Sequence, residues 1–150
     1  MALADDLKVA QATTFSFYLK AHNYHWNVEG PNFSDYHAFF ATLYTDAFEA
    51  VDALAEHART LDTYVPGSYS RFKELSVIED ELKIPNAMTM MTRLEADNKK
   101  VIEVLMTAHA SAEAEGKRGI VNYLEERIDI HEKHGWMLRS ISKEIGRAHV

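Results

Sequence analysis

The sequence predicts an all-α fold: a bundle of four long helices, with a short helix in the long connection between the second and third. Three observations carry this. Only three prolines and six glycines occur in 150 residues, so there are few points at which a helix must break. Four long stretches repeat apolar residues every three or four positions, the helix period. Hydrophobic residues make up 47% and charged residues 26%, the balance of a globular chain that buries a core. This length suits one domain spanning residues 1–150.

The first helix is expected from about Ala4 to Val28, where Leu7, Ala10, Thr14, Phe17, Tyr18, Ala21, Tyr24 and Trp26 recur mostly at three and four. Gly30-Pro31 ends it. Ser34 is the expected N-cap of the second helix, which then meets no Gly or Pro until past Leu61. Its stripe is Phe40, Leu43, Tyr44, Ala47, Ala50, Val51, Leu54 and Ala58. At 1.5 Å per residue, its roughly 28 residues span about 42 Å. Residues 62–86 carry Pro66-Gly67 and Pro85 and read as a connection, within which "SRFKEL" forms a short helix. The third long helix runs from about Ala87 to Glu113 on Met88, Met91, Leu94, Val101, Ile102, Leu105 and Ala108. Gly116 and Gly119 punctuate the next turn, and the fourth runs from about Lys117 to Ile145 on Ile120, Leu124, Ile128, His131, Leu138 and Ile141. Two helices, a long crossing connection and two more helices make a ferritin-like arrangement.

Composition excludes several functions. Cysteine is absent, so there is no disulfide framework, thiolate nucleophile or thiolate metal site. No apolar run reaches the roughly 18 residues of a membrane span, and "MALADDLKVA" lacks the basic flank and apolar core of a signal peptide. A soluble, cytoplasmic protein is the expectation. The formal charge of −7 disfavours nucleic acid and favours cations.

The residues that carry chemistry are His25, His37, Asp52 and Glu56. His25 lies near the end of the first helix and His37 in the first turns of the second, so antiparallel packing across a short turn brings the rings together. Asp52 and Glu56, four apart, share one helix face. Two neutral imidazoles with carboxylates suit iron(II) and leave positions open for an oxidant. Taken singly, such a histidine is more often a core or surface residue, and such an acid pair more often a solvated face. Distance separates the readings. On a continuous helix, fifteen residues put His37 and Asp52 about 22 Å apart, whereas ligands must all lie within roughly 2.0–2.6 Å of an ion. One chain cannot complete the site. A two-fold dimer with antiparallel second helices can, and builds it twice.

The spacing His25-Trp26, His37, Asp52, Glu56 closely resembles that of the Dps family of mini-ferritins. So do "KAHNYHWNVEGPNFSDYHAFF", "VDALAEHARTL", "YVPGSYSRFKELSVIED" and "HEKHGWMLRSI", and the likeness covers about residues 7 to 145. The resemblance implies a shell of twelve subunits built from two-fold dimers, with ferroxidase centres at the dimer interfaces. There iron(II) is oxidised, typically with hydrogen peroxide as the preferred oxidant and oxygen as the other, and ferric mineral collects in the hollow centre. By position, His25 and His37 bind iron from one subunit, and Asp52 and Glu56 bind it from the other. The resemblance also makes Trp26, beside a ligand, an electron donor when oxidant arrives out of step with iron; by residue type alone it is an interface aromatic.

This chain departs from the family at several positions. Ala41 stands where relatives often have an aspartate, and His57 replaces an arginine, which makes the neighbourhood sensitive to pH. Where relatives line a three-fold pore with acids stand Lys117, Arg118 and Asn122, leaving Glu113, Glu115, Glu125 or Glu126 as the acids of an entry route. DNA binding by relatives uses lysine-rich tails. Here Lys8 faces Asp5 and Asp6, and the end offers only Lys143, Arg147 and His149, so no strong DNA binding is expected. The alternative to a ferroxidase is a structural or DNA-compacting shell whose weakened site holds zinc or nothing.

Overall fold

The computed structural model describes the backbone of residues 2–148 and the side chains of residues 2–143. Among the described residues five helices occur in the order α1 (Ala2–Asn27), α2 (Phe33–Arg59), α3 (Tyr69–Leu75), α4 (Ala87–Ala114) and α5 (Arg118–Ala148). No strand occurs among the described residues. The side chains of Ile145 and Arg147, and His149 altogether, lie outside them.

Local chemistry places most helix ends. Asn86 caps α4 by accepting the backbone N–H of Thr89 at 2.9 Å, and Ser68 caps α3 by accepting that of Arg71 at 3.3 Å. Gly116, at φ 68°, closes α4. Its N–H donates to the carbonyl of Glu113 at 3.1 Å, and the N–H of Lys117 donates to that of Ala112 at 3.0 Å, the paired bonds of a Schellman turn. Ser34, by contrast, is not the cap of α2. The N-cap is Asn32, whose side chain makes no capping bond. Gly30 turns the chain at φ 117°, and Phe33 N–H already donates to its carbonyl at 3.0 Å. Winding therefore starts before Ser34, which falls inside the first turn.

Helix α1 packs against both α2 and α4, and α4 against α5. The buried core draws Leu7, Phe17 and Tyr24 from α1, Phe40, Leu43 and Leu54 from α2, Met91, Leu94 and Leu105 from α4, and Leu124 and Leu138 from α5. The crossing connection covers α1 on another side. Phe72 of α3 stacks on Phe15 with centroids 4.5 Å apart, and Gln11 donates to the carbonyl of Pro66 at 3.0 Å. That cover explains why Gln11 and Thr13, whose hydroxyl accepts the backbone N–H of Val77 at 3.3 Å, are buried beside apolar neighbours. Further along, Tyr24 donates to Glu81 at 2.6 Å, and Arg93 of α4 pairs with the same carboxylate. Lys20 and Asp97 form a nearly buried ion pair at 2.8 Å between α1 and α4. No helix among the described residues is long and apolar enough to cross a membrane.

Candidate metal centre

The short turn after α1 folds α2 back along it and sets His25 against His37. Their rings stack with centroids 3.7 Å apart and planes 18° apart. Each ring is fixed by the other residue's backbone: His25 Nδ1 donates to the carbonyl of His37 at 2.7 Å, and His37 Nδ1 donates to that of His25 at 2.7 Å. A carbonyl only accepts, so Nδ1 carries the proton, and the lone pair of a neutral ring stands on Nε2. Hydrogen bonding of the remote nitrogen is how metal-binding histidines are usually oriented. Phe33 stacks on the His37 ring at 4.9 Å, and Tyr44 meets His25 edge-on at 5.1 Å.

The stack also limits how the rings can share metal. With centroids 3.7 Å apart and planes within 18° of parallel, the two in-plane lone pairs run nearly side by side instead of converging on one point between the rings.

The carboxylates lie elsewhere. Helix α2 runs unbroken from Phe33 to Arg59, so Asp52 stays about 22 Å from His37 along the axis. Asp52 and Glu56 are both exposed on the chain's surface. The structure thus brings His25 and His37 together and keeps Asp52 and Glu56 apart from them within one chain. His57 turns inward onto Tyr123, with centroids 4.7 Å apart; burial lowers its pKa against the opposing pull of Glu56. It is a neutral packing residue rather than a fixed positive charge.

A sequence model of the ferritin-like domain matches residues 4–148. The DNA protection during starvation protein of Brevibacillus brevis is 30% identical over 123 residues, covering 82% of this chain and 83% of its own. The chain belongs to the Dps group of the ferritin-like family. A Dps from Staphylococcus aureus superposes with a TM-score of 0.89 at 28% identity, over 93% of this chain and 94% of that one. The Dps of Vibrio cholerae O1, described as a ferritin-like diiron-carboxylate protein, gives a TM-score of 0.88 at 28% identity over 92% and 87%.

Two further features of this Dps chain were not read from its sequence. Around Trp26, 60% exposed, stands an aromatic column: His22 stacks on Trp26 at 3.8 Å and on Tyr44 at 3.8 Å, while Tyr18 hydrogen-bonds His22 Nδ1 at 3.0 Å. Tyr18, His22 and Trp26 are four apart on α1, a spacing that could have revealed it.

The second is a polar network inside the bundle. Arg127 grips Asp46 with two hydrogen bonds of 2.8 Å, and His134 Nε2 donates to the same carboxylate at 2.9 Å. Arg127 also donates to His131 Nε2 at 2.9 Å, and His131 Nδ1 donates to Asn98 Oδ1 at 2.8 Å. Burial alone would raise the pKa of Asp46, but the bonds from Arg127 and His134 outweigh it and hold the carboxyl well below its usual range. Burial also holds the pKa of His131 well below its usual value, and neighbouring Arg127 adds to it, since a proton on Nε2 would face the guanidinium.

A pH dependence follows from His131. Between its lowered folded pKa and the ordinary value near 6.5, the unfolded chain binds a proton that the folded chain refuses. This contribution is complete above about pH 6.5 and is lost on acidification, at up to about 1.4 kcal/mol per pH unit. Denaturant midpoints at fixed protein concentration should fall between about pH 7 and pH 5, with a flatter profile in His131→Gln.

Proposed function

We propose that this Dps chain is a ferroxidase and iron-storage subunit whose oxidation centres form between two copies. Antiparallel α2 helices would set His25 and His37 of one subunit against Asp52 and Glu56 of its twin, twice per dimer. The observation that carries this reading is the crossed pair of Nδ1–carbonyl bonds, which readies two Nε2 lone pairs that meet no acid among the described residues of their own chain. Exposed apolar groups near the same region, Trp26 at 60% and Phe48 at 59%, support a face that a twin covers.

The chemistry follows from charge and electron count. The carboxylates offset the charge of bound iron(II), and the imidazoles hold it without adding charge. Hydrogen peroxide takes two electrons when its O–O bond breaks to give two hydroxides, and two iron(II) ions supply one each. Delivering both together avoids the hydroxyl radical that a single electron would release. Trp26 would supply an electron when only one iron is present. The ferric product would collect in a hollow dodecamer in the cytoplasm, and the acidic chain would leave DNA largely unbound near neutral pH.

Stopped-flow mixing of the assembled protein with iron(II) and peroxide, without oxygen, tests the activity. The expected result is two irons oxidised per peroxide with little spin-trapped hydroxyl radical. An intact shell with no iron-dependent peroxide consumption would instead favour a structural assembly holding zinc or nothing, the reading to which Ala41 and the uncharged His57 point.

A further inference from the structure

We infer that His109, Glu113 and Glu125 form a second metal site in each chain, for a divalent first-row transition ion, separate from the interface centre. His109 and Glu113 lie one turn apart on α4. The Gly116 turn folds α5 back so that Glu125 meets them from the neighbouring helix. His109 Nε2 stands 3.0 Å from Glu125 Oε2 and 3.6 Å from Glu113 Oε1. One ligand atom from each residue lies within 4.8 Å of the other two.

Those separations are close to what an ion requires. With metal–ligand bonds of about 2.1 Å, neighbouring ligand atoms sit about 3.0–3.4 Å apart. The His109–Glu125 edge already has that length and the His109–Glu113 edge nearly so. The remaining adjustment falls on the glutamates, whose side chains are 61% and 58% exposed, while the imidazole is only 22% exposed. Either a proton on Nε2 or a metal ion can bridge the ring to the two acids. Two carboxylates balance a dication, and the imidazole nitrogen favours zinc, iron(II) or cobalt(II) over calcium or magnesium.

The site stands apart from His25 and His37. Next to it, Ser111 donates to Asp6 near the start of α1. His25 is at the other end of that helix, nineteen residues or about 28 Å away. No side chain can serve both places. The inference therefore holds whether or not the interface oxidises iron.

Zinc, which undergoes no redox chemistry, is the probe. Calorimetric titration of the assembled wild-type protein is expected to show a class of one zinc per chain that persists in His37→Ala. The same class should weaken at least about tenfold in His109→Ala and in the isosteric Glu125→Gln, both checked for helix content and assembly. Isotherms of His109→Ala and Glu125→Gln that match wild type would overturn the site. So would loss of this class in His37→Ala alone.

Discussion

Replacing His37 with alanine is expected to slow peroxide-driven iron(II) oxidation by well over tenfold while leaving the chain folded. The substitution deletes one Nε2 lone pair outright. It also removes the ring stacked on His25 and the Nδ1–H bond to the His25 carbonyl, so the surviving imidazole loses its packing partner. Losing a group that merely orients a ligand costs about 10–100-fold in metal affinity or activity, and losing the ligand itself costs at least that. Stability should change far less, because His37 is only half-buried at the rim of the bundle and the core residues Phe40 and Leu43 remain in place. Rates equal to wild type would remove His37 from the centre.

The largest effect on stability is expected at Asp46. Asp46→Ala strips the partner from Arg127, whose side chain is 5% exposed, and from His134, at 6%. Breaking a buried pair from one side typically costs about 3–5 kcal/mol, since the remaining charge stays buried without compensation. The Asp46 side chain is itself 25% exposed, so water reaching the gap places the cost toward the lower end of that range. Arg127 Nε and His134 Nδ1 already have no partner among the described residues, leaving the network little reserve. Denaturant titration at fixed protein concentration measures the loss. A shift below about 1 kcal/mol would mean that the network sets geometry without supporting the fold.

How much of this was legible in the sequence depends on the reach of each interaction. Helices were legible because their signal is local: the three-and-four spacing from Leu7 through Tyr24, and from Phe40 through Ala58, marks faces that are mostly buried, although Trp26, the last member of the first stripe, stands 60% exposed. The pairing of His25 with His37 was legible because Gly30-Pro31 allows only a short reversal between them. Their crossed backbone bonds were not, because these depend on how the two helix ends abut. The stripe of α5 shows the limit most clearly. Its buried line runs through Ile120, Leu124, Arg127, His131, His134 and Leu138, so three of its members are polar. Apolar periodicity points to Ile128 instead of Arg127, because nothing local announces that Asp46, eighty-one positions away, will neutralise the guanidinium. Ser34 failed as a cap for a similar reason: the preceding Gly30 turn, rather than the capping side chain, decides where α2 begins.

The central claim is that imidazoles and acids of one oxidation centre come from different subunits, and a mixing experiment tests it directly. His37→Ala and Asp52→Ala homodimers should each be inactive, since every centre lacks a ligand. In a mixed dimer one centre carries both defects and the other carries neither. Random reassembly of equal amounts should therefore restore about a quarter of the wild-type iron oxidation rate, because half the dimers are mixed and each has one intact centre. A mixture no more active than its two components, with mixed dimers shown to be present by mass, would contradict the account.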